Sequence, residues 1–171
     1  MTDDNSYEIE RKYLVSQLPD NLNSHEQSEL EQGYLSTSPV VRVRRKDDDY
    51  ILTYKSAGLM IRKEVELPLD KNSYEHLIAK SDGIIISKTR YIIPDGPHNI
   101  ELDVFHGRLE GFVMAEVEFK SKEAADSYQP PHWFAKEVTD NPSFHNSRMS
   151  CMSESECDTL IAEGNLYRKK R

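Results

Sequence analysis

Cysteine is almost absent from this chain, which carries only Cys151 and Cys157. Two thiols at that spacing build neither a disulfide framework nor a zinc ribbon, and reduced thiols in a cytoplasmic protein are the expectation. Long apolar runs are missing too: no stretch approaches the roughly 20 residues of a membrane-crossing helix. The opening Met1-Thr2-Asp3-Asp4-Asn5 is acidic and lacks the apolar core of a secretory signal. Positive charge is in deficit, with 22 Lys and Arg against 30 Asp and Glu and a formal net charge of -8. That balance argues against nonspecific binding to nucleic acid or to an anionic membrane, while leaving room for an anionic ligand held by a local basic cluster. The histidines show no metal-ligand spacing and are expected to be structural or on the surface. No solenoid-length repeat and no domain linker interrupts the chain. One domain over residues 1–171 is expected, with a barrel over about 5–120 and a helical cover over about 121–171.

What the chain does have is alternation. In Tyr7-Glu8-Ile9-Glu10-Arg11-Lys12-Tyr13-Leu14-Val15 a strand places Glu8, Glu10 and Lys12 on one face. Further strands are predicted at Glu29–Leu35, Val40–Lys46, Tyr50–Lys55, Arg62–Leu67, Ile84–Ile93, Asn99–Phe105 and Phe112–Phe119, separated by turn residues such as Asp47-Asp48-Asp49 and Pro94-Asp95-Gly96-Pro97. Helices are expected over Ser73–Ser81, capped by Asp70, over residues 122–126, and over Glu154–Gly164. A short helix is allowed for in Ser16–Ser28, and Pro130–Phe134 reads as an aromatic turn whose Trp133 packs the cover onto the barrel.

Nearly every strand has one apolar and one charged face. The charged sets are Glu8, Glu10 and Lys12; Arg42 and Arg44; Lys55; Glu64 and Glu66; Lys88 and Arg90; Glu101 and Asp103; Glu116 and Glu118. A half-solvated sheet would also alternate. Acid pairs and base pairs recurring strand after strand fit better with a closed barrel whose lumen is charged and whose apolar faces point outward beneath helices. Such a lumen suits a polyanion with a divalent metal. Carboxylates hold Mg²⁺ or Mn²⁺, and Arg and Lys clamp phosphate oxygens.

The motifs Glu8-x-Glu10-x-Lys12, Gln32-Gly33-Tyr34-Leu35, Arg42-Val43-Arg44, Leu52-Thr53-Tyr54-Lys55, Glu64-Val65-Glu66, Lys88-Thr89-Arg90-Tyr91, Glu101-Leu102-Asp103-Val104-Phe105 and Ala115-Glu116-Val117-Glu118, with Trp133 leading to Lys136-Glu137-Val138-Thr139, resemble in order those of the CYTH superfamily, the triphosphate tunnel metalloenzymes. The resemblance covers about residues 5–149 and is greatest to the compact bacterial type. It implies a mainly β (α+β) fold, an eight-stranded antiparallel closed β-barrel with outer helices and a C-terminal helix. It also implies hydrolysis of inorganic triphosphate with Mg²⁺ or Mn²⁺. By position it implies Glu8, Glu10 and Glu118 as metal ligands with Asp103 and Glu116 near them. Arg42, Arg44, Lys55, Lys88 and Arg90 become a phosphate clamp with Lys12 beside it, and Glu64 and Glu66 serve a second metal or orient water. Lys88 is the expected discriminator for a terminal phosphate, so Lys88, Lys12, Glu64 and Glu66 form the expected catalytic set. Two departures stand out: Leu109 replaces an expected Asn, and Ser143-Phe144-His145-Asn146 replaces Arg-Tyr-x-Asn at the tunnel mouth.

The expected substrate is inorganic triphosphate. Hydrolysis of thiamine triphosphate or nucleotides, adenylate cyclisation, or polyphosphate binding without turnover are the alternatives. No nucleic-acid or membrane partner is expected, and a homodimer is left open. The tail Arg168-Lys169-Lys170-Arg171 is read as complementing the negative end of the last helix.

Overall fold

A computed structural model describes residues 7–168; the acidic N-terminal residues and Lys169–Arg171 of the basic tail lie outside the described residues. Strands β1 (Tyr7–Val15), β2 (Glu26–Thr37), β3 (Val40–Lys46), β4 (Asp49–Lys55), β5 (Ile61–Leu69), β6 (Asp82–Asp95), β7 (His98–Phe105) and β8 (Val113–Glu118) pair antiparallel in the order β5-β4-β3-β2-β6-β7-β8-β1. The sheet closes on itself through β1 and β5, with Tyr7 opposite Lys63, Glu8 opposite Arg62 and Ile9 opposite Ile61. Closure removes the free edges an open sheet would expose. This is the eight-stranded antiparallel barrel expected from the alternation.

The differences from expectation are local. A ninth strand, β9 (Phe134–Glu137), lies against β1 with Tyr13 opposite Glu137 and Val15 opposite Phe134, where an aromatic turn is predicted. Only a 3₁₀ turn, Leu22–Ser24, forms before β2, which starts at Glu26 and runs to Thr37 because its pairing with β6 extends to Glu26 opposite Ile92. Helix α1 (Lys71–Ile78) starts two residues early because Asp70, the expected cap, accepts from the Ser73 N–H at 2.7 Å. Helix α2 (Lys122–Ser127) follows β8; α3 (Asn146–Met149) is unforeseen; α4 (Glu154–Gly164) is capped by a reciprocal Ser153–Glu156 box.

Two apolar cores flank the charged lumen. One is outside the wall, where Tyr13, Val15, Ile100, Leu102, Ala115 and Val117 are covered by α2 and β9, with Trp133 packed on them as expected. The other corrects the expectation of a lumen charged throughout. Leu14, Ile86, Phe105 and Met114 share the inner faces of Lys12, Lys88, Asp103 and Glu116, and are at most 1% exposed. Because the strands are antiparallel, these four fall at one end of the barrel. There Phe144 and Met149 insert between them, and the Phe112 ring lies 5.0 Å from Phe105 and 6.2 Å from Phe144. The tunnel is therefore plugged at that end.

Two glycines allow the plug to seat. Gly83 has φ +69°, and a Cβ there would sit 2.0 Å from the Ser150 carbonyl oxygen, which accepts from the Ile84 N–H at 2.8 Å. A Cβ on Gly164 of α4 would meet the Phe112 ring at 2.2 Å. The helical cover is incomplete: on the outer faces of β4 and β5, Tyr54, Ile61, Val65 and Leu67 are exposed, contrary to the expected full cover. No helix among the described residues is long and apolar enough to cross a membrane.

Candidate active site

The open part of the lumen is a cavity of about 280 Å³. It is bordered by seven carboxylates, Glu8, Glu10, Glu64, Glu66, Glu101, Glu116 and Glu118, and by seven cations, Lys12, Arg42, Arg44, Lys55, Arg62, Lys88 and Arg90. This balance explains how so many charges fold inward: every one of these acids except Glu118 is paired with a base, as buried charge requires. Lys12 Nζ lies 2.8 Å from both Glu10 Oε1 and Glu116 Oε1. Lys55 Nζ donates to both oxygens of Glu8 at 2.7 Å. Arg62 Nη2 reaches Glu8 at 3.4 Å and Glu10 at 3.3 Å. Nearer the open mouth, Arg44 Nη2 is 3.4 Å from Glu66, while Arg90 Nη2 is 3.4 Å from Glu116 and its Nη1 pairs with Glu101.

The expected residues gather with one exception. Glu8, Glu10, Lys12, Arg42, Arg44, Lys55, Glu64, Glu66, Lys88, Arg90, Glu116 and Glu118 all border this cavity. Asp103 does not: it is fully buried, and its carboxylate is taken up by Lys88 Nζ and by a bidentate pair to Arg90 at 2.7 Å. Depth along the strand separates it from Glu101. It faces Met114 of the plug, where Glu101 faces Glu116.

Several residues at the site escaped the sequence reading. Arg62 is two residues from Glu64 and four from Glu66 on β5, so the alternation itself places it inward. Tyr34, His145, Asn146 and Ser147 also border the cavity. The last three arrive on the plug segment: Ser143-Phe144-His145-Asn146, expected at the tunnel mouth, sits instead at the closed end, where no strand periodicity could place it.

Two of the lumen cations keep donors in reserve. The Nε atoms of Arg42 and Arg44 are buried without a hydrogen-bond partner among the described residues. Arg42 Nη2 donates to Thr53 Oγ1 at 3.1 Å and approaches Glu66 at 3.9 Å, and the guanidinium also lies beside the Tyr34 hydroxyl. Unspent buried donors of this kind are costly unless an acceptor arrives.

The electrostatics are graded along the lumen. Burial, reinforced by Glu10, pushes the Glu8 carboxyl up to about 7 against the pull of Lys55. Burial works against the charge of Glu10 also, but the charge and hydrogen bond of Lys12 together with the charge of Lys55 bring Glu10 down to about 2. Glu118 is raised by burial and by Glu101, Glu64 and Glu10. Burial lowers Lys88 to about 8 in spite of Asp103, and burial with Arg42 and Arg90 lowers Arg44 to about 10. Burial, then Lys12 and Arg62, holds His145 down to about 4, so its imidazole is neutral near pH 7. Perturbed groups concentrated in one cleft mark it as the functional site.

The donors suit a hard divalent cation. Glu10 stands directly opposite Glu118 on β1 and β8, Glu8 is two residues along, and the Glu8 and Glu118 carboxyls are raised first by burial and then by neighbouring acids, both of which oppose a charge that such an ion would favour. No group of three such donors is already gathered for a metal among the described residues; Lys12, Lys55 and Arg62 hold Glu8 and Glu10 in its place.

Fold and cavity together define a class: a closed antiparallel barrel with a plugged, charge-lined tunnel built for a polyanion. The chain belongs to the CYTH domain family, whose model matches residues 6–141. It is 40% identical over 148 residues to an inorganic triphosphatase of Nitrosomonas europaea, covering 84% of this chain and 96% of that one. It is 33% identical over 150 residues to an inorganic triphosphatase of Acetivibrio thermocellus, covering 83% and 92%. A crystal structure of an inorganic triphosphatase superposes with a TM-score of 0.65 at 35% identity, covering 85% of this chain and 95% of that one.

Proposed function

We propose that the protein hydrolyses inorganic triphosphate to pyrophosphate and orthophosphate in the charged half of its tunnel, with Mg²⁺ or Mn²⁺ as cofactor. The observation that carries this reading is the cavity's border. Among the described residues it is charged almost throughout, and Tyr34 and Val40, its aromatic and aliphatic members, sit at the plugged end. A nucleobase or a thiamine ring finds no apolar shelf there, whereas phosphoryl oxygens find cations from five strands. The two triphosphatases to which the chain is similar support the same substrate.

Glu8, Glu10 and Glu118, with Glu116 beside them, would hold the metal. Bound there, it would neutralise phosphoryl oxygens as a Lewis acid and release the acid cluster from its repulsion. Arg42, Arg44, Lys55 and Arg90 spread over the phosphoryl oxygens and offset the charge that builds as the bridging bond breaks. Lys88, buried and held in place by Asp103, meets the terminal phosphoryl group with its ammonium. Asp103 is reassigned from metal neighbour to positioning residue, since both of its oxygens orient Lys88 and Arg90. Glu64 and Glu66 orient the attacking water. Its oxygen bonds to the terminal phosphorus, the P–O bridge breaks with its electron pair staying on pyrophosphate, and the water proton passes to a carboxylate. Lys12, between Glu10 and Glu116, fixes the acid faces of β1 and β8.

Phosphate release from triphosphate, thiamine triphosphate and ATP, each with Mg²⁺, Mn²⁺ or EDTA, tests the reading. Triphosphate is expected to be the best substrate and EDTA to abolish turnover. Equal rates with ATP or thiamine triphosphate would overturn the substrate assignment.

A further inference from the structure

A second cavity, of about 150 Å³, lies at the plugged end of the barrel. Its rim is the β2–β3 turn and the β4–β5 loop, and its floor is the segment that carries the plug. Val40, Arg62, His145 and Ser147 border both this cavity and the lumen, so the two spaces lie back to back across a wall one side chain thick.

The two spaces differ in chemistry. Seven carboxylates border the lumen, whereas among the described residues no carboxylate borders the second cavity. It offers instead the guanidinium groups of Arg62 and Arg148 and the hydroxyls of Thr37, Ser38, Ser56 and Ser147. Arg148 spends one donor on Glu156 at 2.7 Å and keeps others. Two cations and several hydroxyls around a space that no carboxylate borders among the described residues are the makings of an oxyanion site that needs no metal.

We infer that this cavity is a metal-free phosphoryl subsite, taking a tetrahedral phosphate as orthophosphate set free by hydrolysis. The inference rests on the tunnel's acting on phosphoanhydrides, as proposed above. It extends that reading by giving the plugged end a ligand of its own.

Two variants test it, and neither residue borders the lumen cavity. Ala57→Trp fills the space from the β4–β5 loop. Arg148→Gln removes a cation while keeping an amide that can donate to Glu156. Inorganic phosphate is titrated by calorimetry into the full chain, with excess pyrophosphate occupying the lumen. Wild type is expected to bind one phosphate, and each variant to bind it about tenfold or more weakly, the loss of one charge-assisted hydrogen bond. Unchanged pyrophosphate binding shows that a variant is folded, and if one variant misfolds the other decides. In steady-state kinetics, product inhibition by orthophosphate is expected to weaken in both variants while the KM for triphosphate holds. A wild type that binds no phosphate beside pyrophosphate, or folded variants that bind it unchanged, would overturn the subsite. Phosphate binding here by a protein that leaves triphosphate intact would uphold the subsite and overturn the proposed activity instead.

Discussion

The two halves of the barrel interior are made by the same strands and the same inner faces, yet they obey opposite rules. Toward the open mouth, Glu10, Lys12, Lys88 and Glu116 pair acid with base around a cavity. One step further along the same faces, Leu14, Ile86 and Met114 meet Phe105, Phe112 and Phe144 in a dry cluster. Side-chain alternation decides which residues point inward, but the position along the axis decides whether they meet water and ligand or packed carbon. The plug gives the fold an apolar core inside the wall. It also closes one end, so that a ligand entering by the open mouth stops against it.

If chemistry belongs to the charged half and cohesion to the plug, mutations should sort by half. The largest effect is expected for Arg42→Ala, which removes a proposed clamp cation whose contacts in the wall are Thr53, Tyr34 and a distant Glu66. Turnover of triphosphate should fall about 10²–10³-fold, by analogy with the loss of one preorganised electrostatic donor. Tm should scarcely move. Steady-state kinetics and a thermal melt on one preparation check both, and a large fall in Tm would blur the division. Phe144→Ala should do the reverse, costing about 3–5 kcal/mol of stability in denaturant titration, as for other buried Phe truncations. The kcat of the fraction that remains folded should stay near wild type.

The plug should also be the acid-sensitive half. His145 is held neutral, down to about 4 from an ordinary value of 6.5. The unfolded chain therefore takes up a proton between those two values that the folded chain refuses. The penalty is absent above pH 6.5, grows as pH falls, and is complete near pH 4, amounting to roughly 3 kcal/mol at most. His145→Asn should flatten the stability–pH profile across that window; a profile as steep as wild type would remove His145 as its source. A smaller effect sharpens the charged half itself. Lys88→Ala should lower turnover of inorganic triphosphate about tenfold more than that of ATP or thiamine triphosphate, the scale of one charge-assisted hydrogen bond. An equal fall for all three would deny Lys88 its discriminating role.

Much of this was legible in the sequence because period-two charge on a strand is hard to explain except by a face. The eight barrel strands and nearly every lumen charge follow from it. What stayed hidden lies where that period gives out. β9 has four residues and takes its place from the pairing of Tyr13 and Val15 rather than from a pattern of its own. The plug segment is a 3₁₀ turn joined to one short helical turn, so Phe144 and His145 were placed by tertiary packing alone. Asp103 reads as the twin of Glu101 because periodicity says nothing of depth. Arg62 was legible and overlooked: it stands in register with Glu64, and it bridges Glu8 and Glu10.

The most direct test of the central claim is a crystal structure of the protein with Mn²⁺ and a non-hydrolysable imido analogue of triphosphate, with anomalous scattering recorded from the metal. The account expects a manganese peak against the carboxylates of Glu8, Glu10 and Glu118. It also expects the phosphoryl chain to lie in the charged half with Arg42, Arg44, Lys55 and Arg90 around it and Lys88 at its end. Manganese held away from those carboxylates, or an analogue bound outside the lumen, would contradict it.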